Sequence, residues 1–479
     1  MKQWVCFAVI GASILGTLIV VDVINSKFST AGYNSSKRGA LRAGYARVKI
    51  TPPVGTSMTG FGDRDWDPKG SRGVHDDLYA RALYLSQGGY DVLIMGFDLL
   101  FFSRDEADRF KGAIGRRLEL PPGRILFNTS HTHTGPKVGT WFYTPSDPFY
   151  LNQLESAIVE AALKAHDSAS EAEIFAGSGT SALPLSRRNK DETGRIAFQP
   201  NPLGTVCNTL PVSMIKDKSG KPICLLFSTS CHPSTIKGNE RSYQISADYP
   251  GAAMAKLDSW LGTTASLFLQ GAGGDAKASV IGKGEKEWRA GTWDDVDKAG
   301  GMVADEVKGV VEKGLTKIKP DLRSAMIVMN WPLVPSIGRA GYEEVIKNPK
   351  TDPESSPEIM KLWAKEQLGY LDRGYTLPSS VQITLHGVEL GKGLRLVGIE
   401  GEAVAELGLI IRNFYPDGVI FPMGYTDGAQ MYLPTSHMLD EGGYEVESYW
   451  EYRQPSPLAR GMEKIITDSL AQLRKEGIE

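Results

Sequence analysis

The sequence predicts an α/β protein, a mixed β-sheet core with flanking helices built as one large domain. Three observations carry this. From Gly44 onward, apolar runs of strand length alternate with longer segments whose apolar residues recur at helical spacing. Apolar residues make up 41% of the chain and charged residues 23%, the balance of a globular protein with a core to bury. No internal repeat, low-complexity tract or sharp compositional boundary divides residues 44–479, so this length reads as one unit.

In chain order, the apolar runs at 46–50, 78–85, 92–101 and 125–128 read as strands. Residues 105–118 and 150–168 read as helices. Residues 212–215 and 223–228 read as two strands joined by the polar turn 216–221, which contains Gly220. A helix at 249–261, a strand at 266–270 and a helix at 294–314 follow. Strands are expected at 326–329, 381–390 and 394–399. The polar, Pro-rich stretch 349–357 opens an insertion that continues into a helix at 358–368. The chain then reads as a helix at 402–414, a strand at 419–422 and a last helix at 456–474. Alternation of this kind implies a mixed sheet covered by helices.

The N-terminus differs. Lys2 precedes an apolar run at 4–21 that Asp22 ends, the pattern of an export signal. The run is near the lower limit for crossing a bilayer. Residues 1–24 are therefore expected to be a removed signal peptide or an uncleaved anchor, and 25–43 a linker. The expected location is periplasmic or extracellular, with membrane association through this segment in the anchored case. The net charge is −3 and no basic run is interleaved with aromatics, which argues against a nucleic-acid partner. Cys6 falls in the leader. Cys207, Cys224 and Cys231 fit no CxxC spacing and read as buried thiols.

Candidate chemistry gathers at strand ends. Asn128-Thr-Ser-His131-Thr-His133-Thr-Gly-Pro136 directly follows the strand at 125–127. Alternate residues on an extended segment point the same way, so both imidazoles could reach one site, and neutral imidazole is a good zinc ligand. Capping or surface histidines are the plainer explanation. Ser228-Thr-Ser-Cys-His232-Pro233 places another His just past a strand. Three of only seven histidines thus sit at two strand ends, and a catalytic zinc needs three or four protein ligands. A carboxylate should complete the set. Composition does not choose between Glu400, Glu402, Asp248 and Asp275. Asp248 is sufficiently explained as a helix cap before Pro250, with a site role the minority reading. The strand ending at Gln270 runs into Gly271-Ala-Gly-Gly274-Asp275. These glycines permit close approach of a ligand or of another loop, and the spacing matches no phosphate-binding fingerprint. The aromatic stretches Asp65-Trp66, Trp141-Phe-Tyr143 and Tyr449-Trp450-Glu451 could line a pocket or be structural.

Taken together, these motifs resemble the N-terminal catalytic domain of the neutral/alkaline, non-lysosomal ceramidases. The resemblance runs from about Ala43 to Leu470. It takes in Ala43–Pro53, His75-Asp-Asp-Leu-Tyr-Ala-Arg-Ala, the His131/His133 segment, Cys231-His232-Pro233 and Ser246-Ala-Asp248-Tyr-Pro-Gly. Gln270-Gly-Ala-Gly-Gly274-Asp275, Gly401-Glu402 and Tyr432-Leu-Pro-Thr435 complete it. It implies a zinc amidohydrolase with one Zn2+ per chain, held by His131, His232, Glu402 and Tyr432, with Tyr425 and Tyr444 near the last position. It places His133 outside the ligand set, behind the ligands or against substrate. As a mechanistic expectation separate from the resemblance, His133 is the first candidate to protonate the leaving amine, and Lys277 and Asp275 are further catalytic candidates. Arg187, Arg188 and Gly274 are implied to line the substrate pocket. The chain departs from the family in having Lys277 where a Ser is expected, with Ser279 displaced by two, and in ending near the close of the catalytic domain. Lys277 is thereby a candidate electrophile or anion-binding group. Both departures resemble the shorter bacterial members. The expected partner is a small-molecule or lipid substrate bearing an N-acyl amide. A zinc deacylase acting on a carbohydrate or cell-envelope substrate, and a non-catalytic surface binding protein, remain as alternatives.

Overall fold

Buried side chains that alternate along the strands sort the chain into four layers. A computed structural model describes residues 39–61, 64, 67–139, 143, 146–284, 287–350 and 357–479. The leader, most of the expected linker, Asp65-Trp66, Trp141-Phe142 and residues 351–356 of the insertion lie outside the described residues. Residues Ala40–Glu479 form one compact unit. Among the described residues no helix is long and apolar enough to cross a membrane.

The regular elements that position the site are β1 (Arg42–Lys49), β2 (Tyr79–Gln87), β3 (Tyr90–Phe97), α1 (Arg104–Leu118), β4 (Ile125–Thr129) and α2 (Pro148–Asp167). After them come β5 (Ser170–Thr180), β6 (Pro184–Lys190), β7 (Ile196–Asn201), β8 (Thr209–Asp217), β9 (Pro222–Thr229), α3 (Asp248–Leu261) and β10 (Ser266–Gln270). The last stretch holds α4 (Trp293–Glu312), β11 (Thr316–Ile318), β12 (Pro320–Pro332), α5 (Gly338–Lys347), α6 (Pro357–Asp372), β13 (Ser380–Gly391) and β14 (Leu394–Ile399). It ends with α7 (Ala405–Phe414), β15 (Val419–Met423) and α8 (Met462–Lys475).

The large sheet runs β10-β9-β8-β5-β1-β2-β3-β4, with β11 on β5. It is mixed, because β3–β4 and β9–β10 are parallel while β1–β2, β2–β3, β5–β8 and β8–β9 are antiparallel. A second sheet runs β12-β13-β14-β15. Period-two alternation stacks the layers. Leu93, Met95 and Phe97 of β3 pack with Phe110 of α1 and Leu154 and Ile158 of α2. Val92 and Ile94 face the other way, joining Val388, Leu390, Leu396 and Phe421 of the second sheet. Farther along, Leu225 and Phe227 of β9 pack under α3 and α4. The outer face of the second sheet, Ile383, Leu385, Val397 and Ile399, is covered by Leu407 and Ile411 of α7 and Ile466 and Leu470 of α8. The result is helices, sheet, sheet, helices, with each fully buried aliphatic side chain contributing ~1.5–3 kcal/mol.

The expected elements recur with four instructive differences. The first strand begins at Arg42, pairing Arg42 with Ser86, so the last residues of the expected linker belong to the sheet. β5 escaped the hydrophobic pattern because it is rich in small residues. Gly177 and Gly179 stand where a Cβ would come within 2.8 Å of Leu315 and 2.6 Å of Val310. The helix expected at 402–414 starts only at Ala405, because Glu402–Ala403 is extended and pairs in parallel with Tyr432–Leu433. The last helix begins at Met462 rather than 456. All three described cysteines are free and buried, as expected. Trp450 and Trp363 pack with Tyr342 in a separate core under α5 and α6, which makes the Tyr449-Trp450 stretch structural.

The two sheets are also tied by charge. Asp427 accepts from Phe127 N at 2.9 Å and pairs with Lys111 Nζ at 2.6 Å and His386 Nδ1 at 2.6 Å, all buried. Burial alone would raise the Asp427 pKa, but Lys111 and His386 hold it well below the usual carboxylate range. A depressed carboxylate stabilises the fold above its unfolded pKa of about 4 and loses that contribution as pH falls through its folded value. Lys111→Met is therefore expected to remove about 2 kcal/mol near neutrality and to move acid unfolding to higher pH. Urea midpoints measured from pH 2 to 7 check this, and an unchanged acid limb would refute the tie.

Candidate metal centre

The cluster forms where β4 and β9 end, on the side where β14 hands the chain to Glu402. β4 stops at Thr129, and His131 takes a left-handed backbone with φ 67°. The segment is therefore not extended through both histidines, as alternation would require. The strained residue, a conformation that costs ~1–3 kcal/mol, is fixed by His131 N donating to Leu99 O at 2.9 Å. His232 is fixed by its N donating to Ala276 O at 3.0 Å.

Each ring is oriented by a backbone carbonyl. His131 Nδ1 lies 3.0 Å from Leu100 O, His133 Nδ1 2.7 Å from Gly60 O and His232 Nδ1 2.7 Å from Gly273 O. A carbonyl can only accept, so all three Nδ1 atoms carry the proton. Each neutral ring then presents a lone pair at Nε2. Those three lone pairs meet. His131 Nε2 is 3.1 Å from His232 Nε2 and 3.1 Å from His133 Nε2. Glu402 Oε2 stands 3.1 Å from His131 Nε2 and 3.3 Å from His232 Nε2, and the Tyr432 hydroxyl 3.2 Å from His232 Nε2. Acceptors converging this closely repel one another unless a cation lies among them. The three histidines fit a metal ion by this test.

The surrounding groups maintain that charge state. Burial, with the positive charge of Arg187, pushes His232 down to about 3. Enclosure, then the neighbouring His131 and His232, holds His133 well below its ordinary value, so Nε2 stays unprotonated at neutral pH. Burial would raise Glu402, yet His131 and His232 hold it well below the carboxylate range. Tyr425 donates to Glu402 Oε2 at 3.3 Å, and the Tyr452 hydroxyl donates to Glu402 Oε1. Burial raises the Tyr432, Tyr425 and Tyr452 phenols far above their usual range, which keeps them donors.

The structure brings His131, His232, Glu402 and Tyr432 together and adds His133 to the same point. His133 therefore has no Nε2 proton to give at rest. It must first accept one. Glu400 is excluded from the cluster because it pairs with Arg104 and accepts from Gln430 at 2.6 Å. Asp248 accepts from Thr235 N and Oγ1 instead, and it follows the N-cap Ala247 rather than capping α3 itself. Tyr444 donates to Glu451 at 2.8 Å.

Four of the other expected site residues serve the frame. Asp275 accepts from Ala405 N at 2.7 Å and so holds the start of α7. Gly274 lies under the chain after Glu402, where a Cβ would stand 2.6 Å from Glu402 O, so its lack of a side chain admits that segment. Arg187 donates to Glu445 at 2.8 Å and to the Tyr432 hydroxyl at 3.0 Å, while Arg188 donates to Glu445 at 2.7 Å. Both guanidinium groups are buried and engaged, and they brace Tyr432. Lys277 is buried beside His232, bridged to it in parallel. Tyr452, Glu445 and the three carbonyls carry no local signal in the sequence. They act through contacts 31 to 258 residues away.

The Asp275 assignment is testable. Burial, with Glu445, raises its pKa to about 7. A carboxyl raised above its unfolded value of about 4 makes the fold less stable as pH climbs from 4 to 7, because the folded state holds the proton longer. Asp275→Asn keeps an oxygen for Ala405 N and is expected to flatten stability across that window while retaining the metal. Thermal unfolding at several pH values, with metal analysis, checks both. Lost metal with unaltered pH dependence would return Asp275 to the reaction.

The fold is that of neutral ceramidase. The chain aligns with the crystal structure of neutral ceramidase from Pseudomonas aeruginosa at a TM-score of 0.68 and 14% identity, over 91% of this chain and 75% of that one. A structure described as ceramidase complexed with C2 aligns at a TM-score of 0.67 and 14% identity, over 92% of this chain and 76% of that one. No protein-family model matches the sequence, and no curated protein sequence matches it.

Proposed function

We propose that the protein is a zinc-dependent hydrolase that cleaves an N-acyl amide. The observation that carries this is the convergence of three Nε2 lone pairs and the Glu402 carboxylate on one point. Similarity of fold to neutral ceramidase supports it. His131, His232, Glu402 and Tyr432 would hold the ion, a nitrogen-and-oxygen set suited to zinc. Bound there, zinc polarises a carbonyl and brings the pKa of a water toward neutrality.

The remaining steps belong to the chain. His133 is the least buried ring of the three. Its Nε2 takes the proton that a water loses on attacking the carbonyl carbon. The same Nε2 then returns that proton to the leaving nitrogen as the carbon–nitrogen bond breaks. Gly60 O holds the ring in place through both transfers. Tyr425 and Tyr452 fix Glu402, and Arg187 fixes the Tyr432 hydroxyl, so the site needs little reorganisation. The apolar run at 4–21 is proposed to export the protein or anchor it.

A screen of the zinc-loaded protein against N-acyl amides, ceramides and N-acyl sugars tests the reading. Hydrolysis of an amide that chelation abolishes and zinc restores is the expected result. One equivalent of bound metal without turnover of any amide or ester would sink it. His133→Gln is expected to retain metal while lowering kcat by about 10²–10³-fold, since it removes the proton carrier and leaves the other donors.

A further inference from the structure

His133 lies beyond the end of β4, and the carbonyl that aims its ring, Gly60 O, belongs to the chain that follows β1. Gly60 permits the approach. Its φ is 104°, and a Cβ there would stand 3.0 Å from His133 Nδ1. A carbonyl on one loop can aim a ring on another only if the two loops are fixed to each other. Arg64 makes that link. Its side chain is buried, 1% exposed, and its guanidinium donates to carbonyls on three segments: Thr59 O at 2.9 Å, His133 O and Ser242 O. Thr59 directly precedes Gly60. The same guanidinium lies 4.5 Å from the centre of the Phe61 ring, and that ring centre is 5.0 Å from that of His133.

These contacts close a circuit. It runs from His133 Nδ1 to Gly60 O, along the chain to Thr59 O, across the guanidinium to His133 O, and back to the imidazole. A guanidinium carries its donors in a rigid planar fork, so carbonyls that bind it are held at set positions relative to one another. We infer that Arg64 is a positioning residue for the reaction, fixing the orientation of the His133 imidazole through Gly60 and the His133 carbonyl. Its consequence for turnover rests on the hydrolase reading above, while its geometry rests on the hydrogen bonds alone. His131 and His232 are aimed by other carbonyls, those of Leu100 and Gly273. Loss of Arg64 should therefore leave the metal bound and free the His133 ring.

The test compares the zinc-loaded wild type with Arg64→Gln and Arg64→Lys. In Arg64→Gln, kcat for an N-acyl amide is expected to fall by about 10–100-fold, with KM within about twofold and one equivalent of zinc retained. The same substitution in a His133→Gln background should change kcat by less than about twofold, because no ring is left to aim. A merely structural arginine would cost the same factor in both backgrounds, and that result overturns the inference. A second readout needs no substrate. In protein carrying 15N-histidine, the His133 Nδ1 proton is assigned by its absence from His133→Gln. It is expected to be visible in wild type and lost to solvent exchange in Arg64→Gln, while the Nδ1 protons of His131 and His232 remain. Arg64→Lys keeps the cation without the fork. It should weaken the same signal partially, and it reports where Arg64→Gln does not fold. A His133 signal of wild-type strength in either variant, or loss of all three signals together, overturns the inference. If the wild type turns over no amide or ester, the hydrolase reading fails, and the imidazole signals alone decide the role of Arg64.

Discussion

His232→Ala is expected to take bound metal from about one equivalent to none and to lower turnover by about three orders of magnitude or more. His232 touches more of the cluster than a replaceable ligand would. Its Nε2 is 3.1 Å from His131, 3.3 Å from Glu402 and 3.2 Å from Tyr432. The ring is fully buried, so no water enters easily to take its place. Stability provides a second readout. An ion at 1,000 times its Kd adds about 4 kcal/mol to the folded state. Wild-type Tm should therefore rise on adding zinc and that of His232→Ala should not. Elemental analysis and paired melting curves check both. A variant that keeps one equivalent of zinc and full activity removes His232 from the centre.

Much of this was legible in the residues themselves. The strands at 78–85, 125–128 and 266–270 were readable because their apolar side chains are consecutive or alternate, and the cores on both faces bear this out. β5 was not readable, because its glycines answer to Val310 and Leu315 on the far side of the sequence. The same division runs through the site. His131, His133 and His232 are conspicuous as strand-end histidines in a chain with seven. Glu402 could be separated from Glu400 only by resemblance. The physical distinction is that Glu402 is extended against Tyr432 whereas Glu400 is claimed by Arg104. The residues that aim the ligands, Gly60, Leu100 and Gly273, contribute only their carbonyls, and a carbonyl has no sequence signature.

Arg187 separates a bracing role from a substrate-binding one with the second of the large effects. Glu445 is 3% exposed and accepts from Arg187 Nε at 2.8 Å and Arg188 at 2.7 Å. Burial would raise the Glu445 pKa, but these two guanidinium groups hold it below its usual value, so it is charged. Removing one of its two partners leaves the buried Glu445 charge paired with Arg188 alone, and Arg187→Met is expected to cost about 3 kcal/mol. That is a large share of a total stability of about 5–15 kcal/mol. The same change takes the 3.0 Å donor away from the Tyr432 hydroxyl, so zinc affinity should fall by about 10–100-fold. Urea denaturation and a zinc titration measure the two losses. Glu445→Gln in the Arg187→Met background is expected to return much of the stability, because the half-paired charge is gone. It should return none of the zinc affinity, because Tyr432 still lacks its donor. A substrate-binding Arg187 would behave in the opposite way, with KM rising while stability and zinc binding stayed as in the parent.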